Sequence, residues 1–95
     1  MLEKQIEAKV CKYAKEKGLL VYKFVSPARA AVPDRLFILP SGFVFFIEFK
    51  RTGKKLTPAQ ERESTRLQEY NMTVFEVDTV EKGIRIIDNM LVIYA

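Results

Sequence analysis

The sequence contains no histidine. That absence excludes Ser-His-Asp hydrolysis, nucleases that use a histidine base, His-ligated zinc and phosphohistidine chemistry. Any hydrolysis by this chain must rely on carboxylates, lysine and a metal ion that prefers oxygen ligands. The single cysteine, Cys11, can form neither an internal disulfide nor a zinc cluster.

Long hydrophobic segments are also missing. No run of about eighteen apolar residues occurs, so we expect no membrane span. The segment Met1–Gln5 is charged and polar and lacks the apolar core of a signal peptide. With 95 residues, 48% of them apolar, we expect one domain over residues 1–95 with a small core. The expected compartment is the cytoplasm of whichever cell hosts the protein.

The charge balance is mildly basic. Sixteen Lys and Arg against twelve Asp and Glu give a net charge of +4. This value permits binding to nucleic acid but does not establish it, because many globular proteins are as basic.

Periodicity and turn residues predict an α/β fold in the order α-β-β-β-α-β-α-β, a sandwich around a mixed sheet. The run Phe43–Phe49 is apolar at consecutive positions, which is typical of a central strand buried on both faces. The expected helices are 2–17, 58–70 with Thr57 as N-cap, and 78–88 with Asp78 as N-cap; the expected strands are 19–25, 35–39, 43–49, 72–77 and 91–94.

The hairpin between the second and third strands brings two acids together. With Pro40-Ser41-Gly42 as the turn, Leu39 pairs with Phe43, and Asp34 then lies opposite Glu48. Two facing carboxylates beside an apolar strand are destabilising unless a partner compensates them. A divalent cation between them is the natural compensation.

Lys50 adds a positive group to this pair. Residues two apart on a strand share a face, so Lys50 lies beside Glu48 while Phe49 points to the other side. Two carboxylates and an ammonium at one sheet end can bind Mg²⁺, polarise a phosphate and position a water for attack. The sequence therefore predicts hydrolysis of phosphodiesters.

At these residues the chain resembles a known family. Val32-Pro33-Asp34-Arg35 followed by Ile47-Glu48-Phe49-Lys50 is similar to the PD-(D/E)-x-K signature of restriction-endonuclease-like nucleases. Nearly the full length resembles the stand-alone virus-type replication-repair nuclease (VRR-NUC) domain. Its features occur in order: Glu3 in the first helix, Pro33-Asp34, Glu48-Phe49-Lys50, and Thr57-Pro58-Ala59-Gln60. The second helix departs from the family by its polarity over Glu61–Thr65, which suggests contact with a partner subunit or DNA.

The resemblance implies a restriction-endonuclease-like core and a role for each matched residue. Asp34, Glu48 and the backbone carbonyl of Phe49 would bind Mg²⁺, which Mn²⁺ could replace, with Glu3 as a further ligand, directly or through water. Lys50 would be the catalytic lysine. Glu3 and Gln60 would complete the catalytic set, and no organic cofactor is implied.

Two of these assignments have alternatives. Glu3 and Glu7 lie one helical turn apart, and either could be a solvated surface acid. Glu3 is favoured because it lies nearer the middle of the apolar stripe formed by Leu2, Ile6 and Val10. Gln60 could instead complete a capping box with Thr57, a purely structural role, or could serve both purposes.

Basic residues near the predicted site are candidate DNA contacts. Taken alone they would be read as solvated surface, but the loop at Lys50–Lys55 directly follows the catalytic strand, where phosphate contacts would give salt-sensitive binding. Tyr22 and Phe24 are assigned to the core rather than to base stacking. The candidates are Arg29, Arg35, Arg51, Lys54 and Lys55.

The resemblance further implies a homodimer that acts on branched DNA, such as a four-way Holliday junction, in replication, recombination or repair. Two-fold symmetry of dimer and junction fits that substrate. Two other hypotheses remain: a catalytically silent DNA-binding module, and an interaction subunit of a replication or repair assembly. The first would bind DNA in a salt-sensitive way but cut none with or without metal, and the second would bind no junction DNA at low salt.

Overall fold

The computed structural model describes residues 1–95, which form three helices and four strands. The helices are α1 (Glu3–Glu16), α2 (Pro58–Glu69) and α3 (Val80–Ile93), and the strands are β1 (Leu20–Lys23), β2 (Arg35–Ile38), β3 (Val44–Phe49) and β4 (Thr73–Val77). None of the helices is long and apolar enough to cross a membrane.

The four strands form one mixed sheet in the order β1-β2-β3-β4. β1, β2 and β3 are antiparallel neighbours, whereas β4 runs parallel to β3. The parallel pair requires a crossover, which α2 provides. The predicted α/β sandwich around a mixed sheet is confirmed.

The register of the β2–β3 hairpin is the predicted one. Arg35 pairs with Ile47, and the Leu39 N–H donates to the Phe43 carbonyl at 2.9 Å. Continuing this register by one residue puts Asp34 opposite Glu48. The turn at residues 40–42 sets this register, since it fixes how many residues separate the two strands.

One face of the sheet packs against α1 and α3 to form the core. The odd-numbered residues of β2 and β3 point to this face, because side chains alternate along a strand. Burying each such side chain stabilises the fold by about 1.5–3 kcal/mol. The core residues are Ile6, Val10, Cys11, Ala14, Leu19, Phe37, Leu39, Phe45, Ile47, Phe49, Val77, Ile86, Ile87 and Met90.

The helices α1 and α3 approach closely at a glycine. A Cβ at Gly83 would collide with the side chain of Val10, so only glycine fits at this crossing. The glycine is therefore explained by packing, in spite of its low helix propensity.

The expected final strand, Leu91–Tyr94, is wrong. α3 continues to Ile93, and the Tyr94 N–H still donates to the Met90 carbonyl at 2.9 Å. The β-forming side chains of this segment count for less than the continued helical hydrogen bonds and the packing of Leu91 against the core. The helix also begins later than expected, with Thr79 rather than Asp78 as its N-cap.

The other face of the sheet is covered only in part. α2 contacts β4 and contributes no side chain to the core. Phe24 is half-buried and packs on Phe46 with ring centroids 5.1 Å apart, but it lies outside the core cluster. Tyr22 is 52% exposed, so its assignment to the core is wrong. It lies on the edge strand β1, where no further strand or helix covers this face.

Candidate active site

The end of β3 brings two charged side chains into a buried setting. Glu48 is 5% exposed and Lys50 is 8% exposed. They follow Phe46 on the partly covered face, while Phe49 between them packs into the core. Burial of ionisable groups costs stability unless each has a partner. Such burial is typical of functional sites.

Asp34 meets this pair from the start of β2. Its carbonyl accepts a hydrogen bond from the Phe24 N–H at 3.0 Å, and its Oδ2 accepts one from the Phe49 N–H at 2.8 Å. The Asp34 carboxyl group also acts on that of Glu48, whose pKa it raises. The backbone of β3 thus orients Asp34 toward Glu48, as the hairpin register requires.

The electrostatics of this pair disfavour two ionised carboxylates. Burial is the main cause that raises the pKa of Glu48 to about 9; the hydrogen bond to Asp34 and the charge of Asp34 raise it further, and Lys50 opposes them. Without a bound cation, a Glu48 carboxyl group with this pKa therefore holds its proton at neutral pH. A cation placed between the carboxylates would favour release of that proton.

The first turn of α1 contributes a third acid to the surroundings of the site. Burial raises the pKa of Glu3, and Asp34 raises it further, while Lys50 lowers it. Glu7 is committed elsewhere: its Oε2 lies 2.6 Å from Nε of Arg35. Of the two candidate acids on α1, Glu3 therefore interacts electrostatically with the site, whereas Glu7 forms an ion pair with Arg35.

Gln60 lies at the first turn of α2 in the predicted capping box. Its Oε1 accepts from the Thr57 N–H at 3.0 Å, and its own N–H donates to Thr57 Oγ1 at 3.2 Å. Gln60 thus has the structural role of completing the capping box. The structure records no hydrogen bond between Gln60 and either acid of the site.

The available oxygen ligands suit a magnesium ion better than a metal ion whose ligands are all protein side chains. No group of three or more His, Cys, Asp and Glu side chains is placed to hold an ion. Mg²⁺ is commonly bound by one or two carboxylates, with waters and substrate phosphates as the other ligands. Asp34, Glu48 and the Phe49 carbonyl supply oxygen ligands of the kind that this pattern requires.

The five basic candidates divide into two groups. Arg29 pairs with Glu63 at 3.1 Å, and Arg35 pairs with Glu7. Arg51, Lys54 and Lys55 are exposed and form no ion pair. Sequence reasoning missed both ion pairs. No local signal could have found them, since each joins residues that are far apart in the chain.

Comparison with known proteins assigns the family. No family model matches the chain. A solved structure described as "VRR_NUC domain" superposes with a TM-score of 0.72 at 35% identity, covering 95% of this chain and 98% of the other. A protein of Acyrthosiphon pisum secondary endosymbiont phage 1, named "Putative nuclease p44", is 43% identical over 77 residues, 81% of this chain and 83% of its own length. This chain belongs to the VRR-NUC nuclease family.

A second VRR-NUC structure supports the fold alone. It is described as "VRR_NUC domain protein" and superposes with a TM-score of 0.77 at 17% identity, covering 93% of this chain and 86% of the other. The small α/β fold of this VRR-NUC chain, with its three helices and four-stranded mixed sheet, is thus shared at low sequence identity.

Proposed function

We propose that this VRR-NUC nuclease is a divalent-metal-dependent endodeoxyribonuclease whose active residues are Asp34, Glu48 and Lys50. The observation that carries the proposal is the placement of Asp34 opposite a buried Glu48 and beside a buried lysine at the end of the most apolar strand. Such a set costs stability in the absence of a ligand, and a hard cation together with a phosphate would satisfy all three groups.

The residues divide the chemistry between them. Asp34 and Glu48, with the carbonyl of Phe49, would hold the ion, and the Phe49 N–H keeps Asp34 oriented toward it. When bound, Mg²⁺ supplies positive charge at a phosphoryl oxygen and favours ionisation of a water. Glu48 must lose its proton for the ion to bind.

Lys50 acts on the phosphate. Its ammonium stabilises the negative charge that develops on the phosphoryl oxygens as the water oxygen bonds to phosphorus and the bridging P–O bond breaks. The water's proton leaves to solvent, and the departing strand end carries away the electron pair of the broken bond. Because Lys50 is buried, little water competes with the phosphate for its positive charge.

The proposed substrate is branched DNA, in particular the four-way junction, and the proposed acting form is a homodimer with Mg²⁺ or Mn²⁺. This follows the family resemblance and the matching two-fold symmetries of junction and dimer. The exposed apolar residues on edge strand β1, Leu20 at 54% and Tyr22 at 52%, offer surface that a second copy could cover. Light scattering tests this point: a monomer at assay concentration would contradict the junction resolvase but not the nuclease.

A cleavage assay tests the nuclease itself. Four-way, flap, duplex and single-stranded DNA are incubated with Mg²⁺, Mn²⁺ or EDTA. We expect cutting only with metal, and loss of cutting in Lys50→Ala and Asp34→Asn. Lys82→Ala, an exposed α3 variant with the same charge loss as Lys50→Ala, is the matched control. If Lys50→Ala and Asp34→Asn both cut DNA at the parental rate, the assignment of the active site to these residues is wrong. A parent that binds DNA but cuts none would instead be the silent module.

A further inference from the structure

A groove runs between the first turn of α1 and the loop that follows β3. We call it the α1–loop groove; its volume is about 440 Å³. It opens directly beside the candidate active site, because Lys50 is part of its wall. The lining residues are Leu2, Glu3, Lys4, Lys50, Arg51 and Lys54.

The groove is strongly cationic. Four of its six lining side chains are positive and one, Glu3, is acidic. None of the four positive side chains takes part in an ion pair. Arg29 and Arg35, by contrast, are both paired with glutamates. The positive charge in this groove is therefore available to an external anion.

The loop side of the groove is fixed in place. The Thr52 hydroxyl donates to the Asp78 carbonyl at 2.9 Å, and the Gly53 N–H donates to Asp78 Oδ2 at 3.0 Å. The amino group of Met1 donates to Thr52 Oγ1 at 3.2 Å, which ties the loop to the segment before α1. A fixed loop loses little conformational entropy when an anion binds, so its basic residues are pre-organised.

Lys50 links the groove to the site of cleavage. It is 8% exposed, lacks an ion-pair partner and lines the groove two residues after Glu48. An anion that runs along the groove would therefore pass the ammonium that is proposed to act on the phosphate. A chain of regularly spaced phosphates fits this geometry better than a single small anion does, since the cations extend beyond Lys50 on both walls.

We propose that the α1–loop groove binds the sugar-phosphate backbone of a DNA strand next to the phosphodiester that is cut. Lys4 on one wall and Lys54 on the other contact non-scissile phosphates. This inference rests on the proposed nuclease function and adds to it a strand path and a binding residue, Lys4. Contacts of this kind position the strand without reading its sequence.

Binding is measured without divalent ions, so that it does not depend on cleavage. Fluorescence anisotropy of the full chain with labelled single-stranded and four-way DNA, in EDTA, gives log Kd against log salt concentration. Lys4→Ala and Lys54→Ala should each reduce the steepness of that line by about one. Lys9→Ala is the matched control, because Lys9 lies on the same helix, is exposed, carries the same charge and is outside the groove. It should keep the parental slope.

Cleavage kinetics separate a binding role from a catalytic one. With Mg²⁺ present, Lys4→Ala should raise KM severalfold and leave kcat near the parental value, whereas Lys50→Ala should lower kcat. The inference is overturned if Lys4→Ala and Lys9→Ala give the same salt slope. If the Lys4→Ala slope changes in EDTA but the parent cuts no DNA with any metal, the groove binds DNA, but the nuclease proposal fails and with it the position beside a cut phosphodiester.

Discussion

The two faces of the sheet differ in what their side chains do, although β3 supplies both. On the core face, Phe45, Ile47 and Phe49 pack against α1 and α3 and are fully buried. On the opposite face, Glu48 and Lys50 are almost as deeply buried but are charged. α2, which approaches that face, has a glutamate, Glu63, as its sole buried residue.

This difference indicates that core residues and proposed catalytic residues alternate along one strand. The core face gains free energy from burial of apolar surface. The other face gives up stability by holding two carboxyl groups and a lysine where water is scarce. Substitutions on the core face should therefore lower stability and preserve activity, whereas substitutions on the other face should lower activity and preserve stability.

The largest expected effect is on the charged face. Glu48→Gln removes a proposed metal ligand while keeping the size of the side chain, so cutting should fall by about a thousandfold or more. The free energy of unfolding should stay equal or rise, because a buried acid is replaced by a neutral amide. Cleavage rate and urea unfolding of the same preparation test this. A destabilised Glu48→Gln would contradict the contrast between the faces.

The core face should show the reverse. Phe45→Ala should lower the free energy of unfolding by about 3–5 kcal/mol, because it opens a cavity beneath α1 and α3. The fraction that remains folded should still cut, since Phe45 points away from the site. Urea unfolding with activity normalised to folded protein checks both parts. Complete loss of activity in folded Phe45→Ala would mean that the faces are not separable.

The raised pKa of Glu48 predicts how stability depends on pH without metal. Its ordinary value is 4.5 and its value in the fold is about 9. Between these values the folded chain holds a proton that the unfolded chain releases, so this group's contribution to stability declines as pH rises through that window. Thermal unfolding in EDTA from pH 5 to 9 should show a smaller decline in Glu48→Gln than in the parent. Identical profiles would contradict the raised pKa of Glu48.

The smallest expected effect concerns the ion pair beneath α2. Arg29→Ala leaves Glu63 buried without a partner, but Arg29 is itself 47% exposed, so the loss should be about 1 kcal/mol. Adding Glu63→Gln should recover part of it. Arg62→Ala, on the exposed side of the same helix, is the control and should change stability little. If Arg29→Ala and Arg62→Ala change the free energy of unfolding equally, the Arg29–Glu63 pair does not stabilise the contact between α2 and the loop before β2.

Much of the fold was predictable because it is encoded locally. The turn at Pro40-Ser41-Gly42 sets the hairpin register, and Thr57 with Gln60 marks the start of α2. That register is sufficient to predict that Asp34 faces Glu48. The fold around these acids could be predicted since each step depends on residues close in sequence.

The remaining features depend on contacts between distant segments. The Arg29–Glu63 and Arg35–Glu7 pairs arise only when the sheet brings loop, strand and helices together. The extension of α3 to Ile93 likewise reflects tertiary packing that β propensity does not capture. Lys4 gave no signal in the sequence, because its place in a groove depends on how α1 meets the loop after β3.

The alternation along β3 limits how this chain can change length. An inserted or deleted residue between Val44 and Phe49 would turn every later side chain of the strand to the opposite side, so that Phe49 would leave the packed interior and Glu48 would enter it. Viable length variants are therefore expected in the loops before Pro33 and after Arg51, not within the strand. Random insertion libraries selected for folding alone would already recover this pattern.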